Sequence, residues 1–89
     1  SITAICSITK GDLPINMWWQ FSDGLDTQLS HNLSTNDGIT ITKNSQKFSV
    51  LSLDAVKSRH RGNYTCFAQN KGGIAHHSAY LAINGSIIL

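Results

Sequence analysis

Eighty-nine residues, a formal net charge of +2, 13% charged and 40% hydrophobic residues describe one small domain. The basic residues are scattered apart from Lys57, Arg59 and Arg61, which read as a solvated turn rather than a nucleic-acid surface, and no apolar run of about 18 residues is present to cross a bilayer. A chain this short buries only roughly 60–65% of its unfolded surface, so it needs a staple.

Ile2 to Ile8 alternates, with Ile2, Ala4, Cys6 and Ile8 on one face and Thr3, Ile5 and Ser7 on the other. The Cys6 side is the core if Cys6 is to meet Cys66, which leaves Ile5 outward. Lys10-Gly11-Asp12-Leu13-Pro14 is a turn, and pairing starts after Pro14, which has no amide hydrogen to donate. Ile15 to Phe21 is the next strand. Trp19 shares the parity of Ile15, Met17 and Phe21 and is the core indole. Trp18 points outward beside Asn16 and Gln20, which is unusual for so large an apolar group. Either a neighbouring loop, strand or glycan covers it, or it anchors an interface.

Ser22 to Gly38 is polar and turn-rich, with a weakly marked edge strand around Asp26 to Ser30 and a turn at Asn36-Asp37-Gly38. Ile39 to Thr42 and Phe48 to Leu53 read as strands. In the second, Ser49, Leu51 and Leu53 face the core, and Phe48, Val50 and Ser52 face out. Val56 plugs the corner that follows.

Gly62-Asn63-Tyr64-Thr65-Cys66 carries the strongest signal. A Tyr two residues before a Cys, with a Gly two before the Tyr, marks strand F of an immunoglobulin sandwich. Tyr64, Cys66 and Ala68 face inward; Asn63, Thr65 and Phe67 face outward. Asn70-Lys71-Gly72-Gly73 is a tight hairpin. It leads into a last strand from Ile74 to Ile83, with Leu81 and Ile83 inward and His76, Ser78 and Tyr80 outward. The expected fold class is all-β: an immunoglobulin-like, two-sheet antiparallel sandwich of the intermediate (I-set) type, with seven strands or fewer. It occupies residues 1–84 with its first strand apparently absent, so the chain reads as a fragment, and 85–89 are a tail or linker start, with a further strand as an alternative for the apolar end. In immunoglobulin lettering the predicted strands are B, C, D, E, F and G.

Cys6 and Cys66, sixty residues apart, suit one inter-sheet disulfide and no metal site. Two buried free thiols in a reducing compartment are the alternative. Sequons at Asn32, Asn63 and Asn84 favour the oxidising compartment. Closing such a loop would stabilise the fold by ~4 kcal/mol in the chain-entropy model. His76 and His77 point to opposite faces of a strand and cannot grip one metal together, and His31 and His60 fall in turns. Without a nucleophile elbow or phosphate cradle, no catalytic residue, cofactor, metal, nucleic acid or small-molecule substrate is expected.

At Gly11-Asp12-Leu13-Pro14 with Trp19, at Arg59-His60-Arg61-Gly62-Asn63-Tyr64-Thr65-Cys66, and at Ala68-Gln69-Asn70-Lys71-Gly72-Gly73, the chain resembles the variable immunoglobulin modules of the arthropod Down syndrome cell adhesion molecule (Dscam) family. His60 stands where many I-set domains carry Asp, and is similar to Dscam modules that have His there. The resemblance implies the extracellular part of a single-pass plasma-membrane protein, or a secreted form. It would be built from tandem immunoglobulin and fibronectin-type modules and diversified by alternative exons or gene copies. Variable modules of that family pair with identical copies on another cell, and immune roles are also attributed to arthropod members. The implied partner is a second copy, held as an antiparallel homodimer through one sheet face.

Two faces compete. The G-F-C face offers Asn16, Trp18, Gln20, Thr65, Phe67, His76, Ser78 and Tyr80, aromatic anchors with a polar rim. The B-E-D face offers Thr3, Ile5, Ser7, Thr40, Thr42, Phe48, Val50 and Ser52. A glycan on Asn63 would crowd the first, and the family resemblance implies pairing through the second, so the B-E-D face is preferred. A heterophilic immune or ligand-binding receptor module and a structural spacer are the alternatives.

Overall fold

The computed structural model describes residues 2–24, 30–36, 38–82 and 87–88. Among these, eight strands follow in order: β1 (Ile2–Ser7), β2 (Asn16–Ser22), β3 (His31–Asn32), β4 (Ile39–Ser45), β5 (Phe48–Leu53), β6 (Gly62–Asn70), β7 (Gly73–Leu81) and β8 (Ile87–Ile88). They form two antiparallel sheets, one ordered β1-β5-β4 and the other β3-β2-β6-β7-β8. A single Cys6–Cys66 disulfide joins the sheets, which sets aside the free-thiol alternative.

Alternation places the core between the sheets. Ile15, Met17, Trp19, Leu51, Leu53, Tyr64, Cys66 and Leu81 are buried, with Ile2, Ala4, Cys6, Ile8 and Val56 packed around them. A buried indole N–H needs an acceptor. Trp19 Nε1 finds one in Ser49 Oγ at 3.0 Å, and Ser49 is fully buried on the facing sheet. That bond crosses the sandwich beside the disulfide and orients the indole.

The corner before β6 is built by the sequence itself. The Tyr64 hydroxyl donates to the His60 carbonyl at 2.6 Å, tying the strand back to a 3-10 turn at Ser58–His60. The Lys57 amide donates to His60 Nδ1 at 2.9 Å, so the histidine closes the turn from inside. Burial pushes the Tyr64 phenol up to about 12. Gly62 follows at φ +150°, and a Cβ there would collide with the Ser22 carbonyl and come within 2.8 Å of the Phe21 ring.

His60 falls in a turn, as expected, but its ring is buried there, 5% exposed, while Lys57, Arg59 and Arg61 are exposed. Four expectations change. His31 is not in a turn. It pairs with Phe21 in β3 and sets its ring edge-on to that phenyl at 5.7 Å. The edge strand observed is therefore His31–Asn32; the expected one at 26–30 falls largely outside the described residues. The strand expected at 39–42 runs on to Ser45, with a register shift between Lys43 and Ser45 that lets the tight β4–β5 turn close. The strand count exceeds seven because Ile87–Ile88 add to the edge of β7 opposite Tyr80 and Leu81, so part of the expected tail is a strand. Ile83 and Asn84 lie outside the described residues.

Candidate recognition surfaces

The strand registers turn the two lists of outward residues into ordered surfaces. On the β1-β5-β4 sheet, Thr3, Ser52 and Thr40 form one cross-strand row, and Ile5, Val50 and Thr42 form the next. Ser7 and Phe48 pair beyond them. Thr3 Oγ1 and Ser52 Oγ lie 3.5 Å apart. Val50, Phe48 and Ser52, on the central strand, are half-buried, while Ile5, on the edge strand β1, is 63% exposed. None of these eight side chains carries a formal charge. The surface thus carries Phe48 and Val50 on its central strand, Ile5 beside them on one edge strand, and hydroxyls on all three strands.

On the larger sheet the rows are chemically segregated. Trp18, Phe67 and His76 stand side by side across β2, β6 and β7. The Trp18 and Phe67 rings stack at 5.3 Å with 5° between planes, and His76 leans on Phe67 at 5.5 Å. Trp18 is half-buried for this reason: its neighbour covers one indole face. The adjacent row is polar: Asn32, Gln20, Thr65 and Ser78. Gln20 Nε2 donates to Asn32 Oδ1 at 2.9 Å, and the Thr65 and Ser78 hydroxyls share a hydrogen bond of 2.7 Å. Asn16 and exposed Ile74 flank the aromatic row across Gln69, and Asn63 sits opposite Tyr80. Both described sequon asparagines, Asn32 and Asn63, therefore belong to this sheet.

The inter-sheet seam also opens at one edge. A hollow of about 330 Å³ beside the disulfide is bordered by Ala4, Cys6, Trp19, Cys66 and Ala79. His77 lies on its rim and is exposed although it shares the parity of Cys66. Sequence reasoning missed three structural polar groups here: Ser49 as the Trp19 acceptor, His60 as the corner closure, and Gln20 as the Asn32 donor. Parity alone marks Ser49 as inward; the other two depend on contacts formed only in the tertiary fold.

Two sheets packed face to face, one disulfide between them and a Tyr-x-Cys corner define an immunoglobulin-type sandwich. Residues 1–70 match the family model described as immunoglobulin domain, and the chain belongs to that family. Among curated relatives, it is 29% identical over 82 residues to the cell adhesion molecule Dscam1 of Drosophila melanogaster, covering 92% of this chain and 4% of that protein. It is 38% identical over 78 residues to the cell adhesion molecule DSCAM of Homo sapiens, covering 88% of this chain and 4% of the relative. The chain thus spans a small fraction of the length of these relatives. Among solved structures, the Dscam1 Ig7 domain, isoform 5, aligns with a TM-score of 0.73 at 36% identity, over 85% of this chain and 71% of that one. Isoform 9 of the same domain aligns at 0.71 and 28% identity, over 85% and 73%. This is a Dscam-like immunoglobulin domain.

Proposed function

We propose that this chain is an extracellular cell-recognition module that binds a second copy of itself, in an isoform-specific way, through the outer face of β1-β5-β4. The observation that carries the reading is Ile5: a large aliphatic side chain, 63% exposed, on the edge strand β1 and level with Val50 of the central strand, in an uncharged face on the sheet that bears neither described sequon asparagine. A face without formal charge can meet its own copy without like-charge repulsion. Antiparallel two-fold pairing would set each residue against the partner face in two symmetry-related contacts, so one substitution is felt twice. That property suits recognition of identity. The likeness to Dscam cell adhesion molecules supports adhesion as the setting, and two structural neighbours are isoforms of one Dscam1 domain, which supports an exchangeable module.

Ile5→Asp and Val50→Asp, each made in the full ectodomain, are expected to abolish cell aggregation while the domain stays folded. Each change buries an unpaired carboxylate twice, a cost of several kcal/mol. Normal aggregation of both variants would remove the face assignment. The Trp18–Phe67–His76 row favours a second reading, a heterophilic receptor using the aromatic face. An ectodomain that stays monomeric at high concentration would move the assignment to it.

A further inference from the structure

We propose that Asn32 carries an N-linked glycan whose first sugars lie over the Trp18–Phe67–His76 row and close the outer face of the five-stranded sheet. The proposal takes the extracellular setting from the functional reading above and adds what covers the second face.

Asn32 is exposed, lies on the edge strand β3 and begins the sequon Asn32-Leu33-Ser34. Its side chain is held by Gln20, whose Nε2 donates to Asn32 Oδ1 at 2.9 Å. The bond engages Oδ1 and not Nδ2, the atom that is glycosylated. Asn32 pairs with Gln20, and Trp18 is two residues from Gln20 on the same face of β2. Diagonal neighbours of this kind stand about 7–8 Å apart, within reach of the first sugars of a glycan. Phe67 occupies one indole face. Trp18 also borders a hollow of about 490 Å³ at the open edge of the sandwich, with Ser34, Thr35 and Lys43. The C–H-rich face of a pyranose suits the electron-rich face of an indole. Gln20 and the Thr65–Ser78 pair lie alongside to meet hydroxyl and acetamide groups. Because the sugar is tethered, even a weak contact is populated. Asn63 is the poorer acceptor: it is half-buried near the start of β6, flanked by Ser22 of β2 and Tyr80 of β7.

In the modification, a bond forms between Asn32 Nδ2 and the anomeric carbon of a lipid-linked oligosaccharide diphosphate. The bond from that carbon to the diphosphate breaks, the lipid diphosphate leaves and Nδ2 loses one proton.

The test is to secrete this chain from eukaryotic cells behind a cleavable leader, alongside Asn32→Gln and Ser34→Ala. Peptide mass mapping is expected to find a glycan on Asn32, absent from both variants. Trp19 is 4% exposed, so quenching of tryptophan fluorescence by acrylamide reports mainly on Trp18. Quenching is expected to rise at least about twofold in both variants and on enzymatic removal of the glycan, since an uncovered aromatic face meets solvent. Ser34→Ala keeps the Asn32–Gln20 bond, and an unchanged near-ultraviolet circular dichroism spectrum separates glycan loss from unfolding. A secreted, disulfide-bonded chain with bare Asn32 would overturn the proposal, as would glycan removal that leaves quenching unchanged. Either result leaves self-association through β1-β5-β4 standing, whereas a chain that cannot be secreted contradicts both.

Discussion

Tyr64 has its ring in the core and its hydroxyl on the His60 carbonyl, so its proton belongs to the fold. The folded phenol sits at about 12 against an ordinary 10.0, because burial disfavours the phenolate. The folded state therefore holds this proton more tightly than the unfolded chain does. The stability tied to it is complete below about pH 10 and is lost as pH rises through about 12. Tyr64→Phe is expected to lower neutral-pH stability by about 1–3 kcal/mol, the cost of a buried carbonyl left without its donor. Its stability should also fall less steeply between pH 10 and 12 than that of the parent, as urea denaturation across that range would show. Parallel curves would contradict the assignment. Parity, with the Tyr-x-Cys signature and the spacing from Cys6, assigned Trp19, Leu51, Leu53 and Tyr64 to the inside, and all four are buried. The same reading placed His60 in this turn but could not see that its ring is buried and accepts from the Lys57 amide, because a basic cluster in a short turn looks solvated.

Among the elements, β6 organises the larger sheet, with β2 on one side and β7 on the other. Its first residue decides how closely β2 approaches. Gly62→Ala would force a side chain against the Ser22 carbonyl and the Phe21 ring at a φ that L-residues avoid. The expected loss is more than about 2 kcal/mol, measured as a shift of the urea midpoint with the slope unchanged. A variant as stable as the parent would show that the close approach is not required. Strands of six or more residues with strict alternation were legible in the sequence, as β1, β5 and β6 show. The two-residue strands β3 and β8 were not: they have no period to read, and they exist only because β2 and β7 present edges to pair with. The bulge in β4 was hidden for a related reason, since register belongs to a pair of strands and not to one.

At the scale of the whole molecule, a small core between two sheets is stapled by one disulfide that closes a sixty-residue loop, worth ~4 kcal/mol in the chain-entropy model. The two outer faces then divide the surface by chemistry. Which side chains face out was legible from alternation. That Trp18 stacks on Phe67 while Ile5 stands uncovered was not, because it depends on rotamers and cross-strand neighbours. This contrast is what supports the proposal of self-recognition through β1-β5-β4. The most direct measurement is the concentration dependence of backbone amide chemical shifts in the isotopically labelled chain. The account predicts shifts that grow with concentration at Thr3–Ser7, Thr40–Thr42 and Phe48–Ser52 and stay fixed along the Trp18–Phe67–His76 row. Shifts confined to that aromatic row would contradict it.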